Sequence, residues 1–309
     1  MKIAIAGTGD LARYFYTSPR LHTHNIIALA RSRKTFLTKL SIEQRITDYT
    51  VSSLTSHLAD CDAVVSTISA EGTDHVTAHL ALLEACKRSP RCKRFIPSEW
   101  TGNIEGHPSL EPRYMHETRE PIRRGLRAQS EVEWTIVLVG WFAEYLLPPG
   151  HEGRHFGDLE VGWPVDHVKK LFVLYGEGEK RVTLTSARDT VAAVVGLLES
   201  GERWEEYTHL AGETVRWREL LETLQRRDGE WTSVERGFED ALRQVEEAEE
   251  SGEQGKKVET QLQLLGYTDY NCVDIGKAER QRGVYFPGVQ SREVVEVLDE
   301  IEVTRESVA

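Results

Sequence analysis

The first half of the chain alternates short apolar runs with stretches whose apolar residues recur at helical spacing. Lys2 to Ala6 reads as a short buried strand, and Asp10 to about Thr17 as a helix. Asn25 to Ala30 and the Val- and Ile-rich run Ala63 to Ile68 read as further strands. Val76 to Cys86 places Ala and Leu at helical spacing. Lys93 to Ile96 is strand-like and stopped by Pro97. Pro121 to Arg127 reads as a helix with proline in its first turn, and Trp134 to Val139 as another strand. This β-α-β rhythm predicts an α/β fold of the Rossmann type, a doubly wound parallel sheet covered by helices.

The second half is less regular. His151 to Asp166 is rich in Gly and polar residues and reads as a loop region. Leu171 to Tyr175 and Arg181 to Leu184 bracket a Gly176-Glu-Gly178 turn. Thr190 to Leu198 is an apolar helix pattern, with Ser186 or Asp189 as its N-cap. Arg216 to Arg226 and Gly237 to Glu250 read as charged amphipathic helices. Glu246 to Lys257, strongly charged and broken by glycine, reads as a mobile surface segment.

Bulk properties narrow the class. The 309 residues are 39% hydrophobic, enough for one large domain or two modest ones. A formal charge of -12 disfavours nucleic acid and anionic membrane as partners. No apolar run approaches the roughly 18 residues of a spanning helix. Met1 leads straight into a strand, leaving no room for a signal peptide. Cys61, Cys86, Cys92 and Cys272 match no zinc spacing and are too few to staple the chain. They read as reduced thiols of a cytoplasmic protein.

The sequence Ile3-Ala-Ile-Ala-Gly7-Thr8-Gly9-Asp10-Leu11-Ala12 has the form strand, tight turn, helix start. Gly7 permits the turn, Gly9 lets a pyrophosphate approach the backbone, and Ala12 keeps helix and strand close. Free amides at the helix start then face the phosphates. An acidic residue that reads NAD belongs near the end of the second strand. The chain instead has Arg31-Ser32-Arg33-Lys34 there, groups suited to a 2'-phosphate. The pattern therefore points to NADP(H).

From these residues, the segment Arg94-Phe-Ile-Pro-Ser-Glu-Trp100, the run Ile122-Arg-Arg124, Glu133-Trp-Thr and Gly140-Trp-Phe-Ala-Glu-Tyr145, the chain resembles the NmrA-like and isoflavone-reductase-like branch of the atypical short-chain dehydrogenases, closest to its fungal members. The resemblance covers roughly residues 1 to 215. It implies an NADP(H)-binding domain over 1–150, its sheet completed by segments near 181–211, and a smaller, discontinuous α+β substrate lobe within 151–309. The family's turn usually reads G-x-x-G-x-x-G and is shorter here. The resemblance places Arg31 at the 2'-phosphate, Thr67, Ile68 and Ser69 along the cofactor, and Phe95, Pro97 and Ser98 beside the nicotinamide. Reductases of the family carry a lysine four residues before the Arg-Arg pair; this chain has Arg119 there. Arginine can anchor a ribose or an oxyanion but cannot pass a proton as lysine does.

The candidate proton donors are Tyr114 and His116, in the polar segment Glu111 to Glu120. Trp141, Phe142 and Tyr145, with Trp100 and Trp163 in support, suit a flat apolar substrate or simply pack the core. His75 and His79 stand four apart, but no third ligand is evident, so packing is expected rather than a metal. Ser98-Glu99 lacks the setting of a hydrolase nucleophile. Three functions fit: an NADPH-dependent reductase of a small, aromatic or polyketide-like metabolite; an NADP(H)-binding regulator without turnover; or a non-redox isomerase or cyclase. The partner expected is a small-molecule substrate, on a monomer or homodimer.

Overall fold

A computed structural model describes residues 1–70, 72–157 and 162–299. The first part runs β1 (Lys2–Ala6), α1 (Asp10–Thr17), β2 (Asn25–Ala30), α2 (Thr35–Lys39), β3 (Glu43–Ile46), α3 (Val51–His57), β4 (Ala63–Ser66), α4 (Gly72–Arg88), β5 (Arg94–Ile96), α5 (Arg113–Arg127) and β6 (Glu133–Trp134). The six strands form one parallel sheet in the order β3-β2-β1-β4-β5-β6. That is the doubly wound Rossmann arrangement, with its switch point between β1 and β4.

Strands buried on both faces need apolar residues at every position. In β1, Ile3 and Ile5 face one core while Ala4 and Ala6 face the other. In β4, Ala63 and Val65 share the first core and Val64 the second. Helix α1 covers the first face with Leu11 and Phe15. Helices α3, α4 and α5 cover the second with Leu54, Leu82, Ile122 and Leu126. Each such aliphatic side chain stabilises the sheet by about 1.5–3 kcal/mol.

The chain continues through β7 (Ile136–Leu138), β8 (Trp141–Phe142), β9 (Val165–Asp166), β10 (Leu171–Tyr175), β11 (Arg181–Thr185), α6 (Ala187–Glu199), β12 (Tyr207–His209), β13 (Glu213–Arg216), α7 (Trp217–Asp228), β14 (Thr232–Arg236), α8 (Phe238–Ser251), α9 (Gln254–Leu264) and α10 (Ile275–Tyr285). Three small sheets result: β7 with β12, β8 with β11 and β13, and β9 with β10 and β14. Helix α6 returns to the first face of the large sheet through Val191, Val194 and Leu198. Its N-cap is Ser186, whose Oγ accepts from the Arg188 amide; Asp189 instead pairs with Arg292.

Gly140 locks the parts together. Its φ is +69°, a left-handed conformation natural to glycine. A Cβ there would overlap the Thr183 carbonyl oxygen and stand 2.9 Å from that of Asn271.

Two expectations are corrected. Pro121 is not in a first turn: α5 starts at Arg113, so proline sits in the interior. The helix continues past the lost hydrogen bond because Ile122 and Leu126 are buried beyond it. The run Trp134 to Val139 is two strands, because β6 pairs with β5 while β7 pairs with β12. Glu246 to Lys257 is mostly exposed, as expected of a surface segment, and it lies in α8 and α9, which are separated around Gly252 at φ +73°. Residues 158–161 of the expected loop lie outside the described residues.

Candidate active site

The turn after β1 lies at the switch point. Gly7 donates its amide to Leu29 O at 3.1 Å, and Thr67, just past β4, donates to Ala6 O at 2.8 Å. At φ +118°, Gly7 packs so closely that a Cβ would stand 2.7 Å from Thr67 Oγ1. Around Gly9 the reverse holds: a Cβ there would meet nothing within 4 Å. Gly9 is the N-cap of α1 and supplies no side chain to its first amides. The positive end of the helix therefore opens on unfilled space at Gly9. Thr8 is half-buried, Asp10 is exposed and Leu11 is buried in the core. Asp10 Oδ2 accepts the Gly157 amide at 3.0 Å, bringing a distant segment over the turn.

The loop after β2 is held from beneath. Gln44 of β3 accepts the Lys34 amide at 2.7 Å and donates to Lys34 O at 3.2 Å. Arg31 and Ser32 are exposed beside it. The Arg31 guanidinium lies 5.9 Å over the ring of Tyr49, whose hydroxyl donates to Leu29 O. A cation, a hydroxyl and a fixed backbone thus stand together just past the end of the second strand.

The ends of β4 and β5 carry a second group. Ile68 is half-buried and Ser69 exposed, while Pro97 and Ser98 are buried. The Ser98 amide donates to His79 Nε2 at 3.1 Å. His79 is therefore neutral with its hydrogen on Nδ1, donated to His75 O at 2.8 Å, and Nε2 also receives the Ser66 hydroxyl. Burial, outweighing the bond to His75, pushes the His79 pKa down to about 4, and the Arg119 charge adds to this. Trp100 has φ +44°, unusual for a bulky residue, and donates its indole hydrogen to Ser66 O at 3.2 Å. Its neighbour Glu99 is firmly held. Glu99 and Glu111 are both gripped by Arg123, with contacts of 2.5–2.9 Å, and all three side chains are at most 2% exposed.

That pairing fixes α5, which carries the catalytic candidates. Nη1 of Arg119 is buried and has no hydrogen-bond partner. Burial pushes the Tyr114 hydroxyl up to about 12, with the Arg119 charge opposing it. His116 is exposed and bonded to Glu111 at 3.2 Å. Arg119 and Tyr114 are thus within electrostatic reach of one another, while the His116 ring is occupied at the surface.

Trp141, Phe142 and Tyr145 belong to one aromatic cluster. Phe156 stacks on Tyr145 at 4.7 Å and on Phe142 at 4.9 Å, and Trp163 lies 5.0 Å from Trp141. Phe142 is buried; Trp141 and Tyr145 are partly open. Burial and then the Asp10 carboxylate raise the Tyr145 pKa, and Gly157, next to Phe156 of the cluster, is bonded to Asp10 of the glycine turn. Trp100 stands apart, packed on Phe15 at 6.2 Å. His75 and His79 are buried, as the expectation of packing has it, and the sequence reading missed the Asp10–Gly157 bond. Among the described residues, no group of three or more side chains could hold a metal, and no helix is long and apolar enough to cross a membrane.

No family model matches the chain. It is 33% identical to the oxidoreductase swnR of Metarhizium robertsii over 310 residues, all of both chains. It is 23% identical to an isoflavone reductase homolog of Nicotiana tabacum over 220 residues, 67% of each. In structure it matches the leucoanthocyanidin reductase–NADPH complex of Vitis vinifera with a TM-score of 0.74, at 16% identity, over 98% of this chain and all of that one. The chain belongs to the NmrA-like, isoflavone-reductase-like family of oxidoreductases.

Proposed function

We propose that the protein is an NADPH-dependent reductase of a small, aromatic or polyketide-like metabolite. One observation carries the reading: the tight turn at Gly7 and the open helix start at Gly9 lie at the switch point, and Arg31 follows the second strand where an NAD-reading acid would stand. The NADPH held by the grape enzyme, on the same fold, supports it.

NADPH supplies a hydride when bound. The first amides of α1 hold its pyrophosphate, and Arg31 with Ser32 and Lys34 holds the 2'-phosphate. Arg119 is a fixed cation that steadies a ribose or an oxygen gaining negative charge. It cannot release a proton. Tyr114, protonated at neutral pH, is better placed than His116 to do so. The aromatic cluster at Trp141 and Tyr145 gives a flat wall for substrate and keeps water away.

Titration with NADPH and NADH tests the cofactor reading, followed by nicotinamide absorbance over a panel of enones and carbonyls. Arg31→Ala should weaken NADPH about tenfold or more, the worth of a charge-assisted bond, and leave NADH nearly unchanged. Equal affinity of the wild type for both cofactors would sink the assignment.

A further inference from the structure

Among the described residues, the buried side-chain atoms without a hydrogen-bond partner are His75 Nε2, Arg119 Nη1, Trp163 Nε1 and Trp231 Nε1. A buried polar atom left unmet costs about 1–3 kcal/mol, so each needs a reason. The first two sit on α4 and α5, neighbouring helices over one face of the large sheet.

We propose that His75 and Arg119 together form a subsite for an oxygen acceptor, a carbonyl, alkoxide or carboxylate oxygen of the molecule bound beside the cofactor. The inference rests on the reductase reading and adds to it a residue and a ligand chemistry.

Position supports it first. The His75 ring lies 4.1 Å from that of His79. His79 is bonded to Ser66, at the end of β4, and to Ser98, just past β5. The two imidazoles therefore stand at the carboxyl ends of the strands, the edge where open α/β sheets take ligands. Fixity comes next. His79 uses both ring nitrogens within the protein, so its ring is locked and braces His75. His75 is 6% exposed, yet it commits its Nε2 to nothing.

Charge then selects the ligand. Burial, followed by His79 and Arg119, pushes the His75 pKa down to about 3, so the ring is neutral at pH 7. The pair carries one positive charge, on Arg119. A guanidinium has only hydrogens to offer, and a neutral imidazole can turn one toward the same atom. An anionic or strongly polarised oxygen can accept from both groups; an ammonium could only donate to the neutral Nε2 and is repelled by Arg119.

The experiment uses the full chain and two probes, benzoate as oxygen acceptor and benzylamine as its charge-reversed counterpart. NADP+ affinity is measured first by calorimetry, then each probe is titrated into the NADP+-saturated protein. Benzoate should bind and benzylamine should not. His75→Phe and Arg119→Met should each weaken benzoate about tenfold or more. His75→Gln, which restores an N–H, should recover most of the loss, and NADP+ affinity of both His75 variants should stay within about twofold of wild type. Recovery by Gln separates hydrogen bonding from packing. The proposal is overturned if wild type with NADP+ takes no benzoate, takes both probes alike, or keeps its benzoate affinity in His75→Phe. It is also overturned if NADP+ affinity falls in step, because the acceptor would then be on the cofactor. Failure of the wild type to bind NADP+ refutes the cofactor reading itself, and this subsite with it.

Discussion

Replacing Arg123 by Met removes one cation from between two carboxylates that, among the described residues, have no other cation bonded to them within the core. In the native protein, Arg123 Nε and Nη2 reach both oxygens of Glu99, while Nη1 and Nη2 reach both oxygens of Glu111. The side chains of Glu99 and Glu111 are 0% and 1% exposed, so water cannot take over. His116 contacts Glu111 from an exposed position and does not replace a full charge. Breaking a buried pair from one side costs about 3–5 kcal/mol. Two carboxylates are stranded here, so the upper part of that range is expected, a large share of the 5–15 kcal/mol typical of whole domains. Methionine fills much of the arginine stem's volume, so the loss is electrostatic rather than a cavity. Urea unfolding at pH 7, followed by tryptophan fluorescence, measures it. The triple variant Glu99→Gln, Arg123→Met, Glu111→Gln should recover more than half, since neutral amides do not repel. A loss below about 1 kcal/mol in Arg123→Met, or a triple variant no more stable than the single, would refute the reasoning.

Other outcomes follow from single positions. Gly7→Ala places a methyl 2.7 Å from Thr67 Oγ1 at φ +118°, so it should cost at least about 1–3 kcal/mol of stability and abolish detectable NADPH binding; unchanged affinity in titration would show that the turn is not the cradle. His75 and His79, held to about 3 and about 4 in the folded chain, lie below their unfolded value near 6.5. The unfolded chain therefore binds more protons between about pH 6.5 and 4, and folding stability falls as pH falls, by about 1 kcal/mol per pH unit for each histidine. Urea midpoints from pH 7 to 4.5 should show this fall, and His79→Gln should remove about half of the histidine share; an unaltered slope in that variant would contradict it.

The central strands were legible because burial on both faces leaves runs such as Ile-Ala-Ile-Ala and Ala-Val-Val with no polar interruption. Strand β3, Glu-Gln-Arg-Ile, was not, since an edge strand needs no apolar run and this one is mostly polar. The first half of α5 was hidden for a related reason: its apolar residues are sparse, and Pro121 looks like a beginning. In the site, Gly7 and Arg31 could be read because local geometry and charge define their work. The Gly157 amide on Asp10 could not, because 147 residues separate them and only the closed fold brings them together.

The Gly140 corner bears on how the chain is made. Its nearest neighbours are the backbones of Thr183 and Asn271, and the ribosome delivers Asn271 on the order of ten seconds after Gly140 at ordinary synthesis rates. Until then the corner has only the Thr183 side to close on. Strand β7 also waits for Tyr207–His209, the partner that covers one of its edges. The nascent chain thus exposes a short apolar edge, Ile-Val-Leu, before its cover emerges. Late chain segments act as the clasp of an early turn and strand, and shortening the C-terminal third would leave that clasp undone.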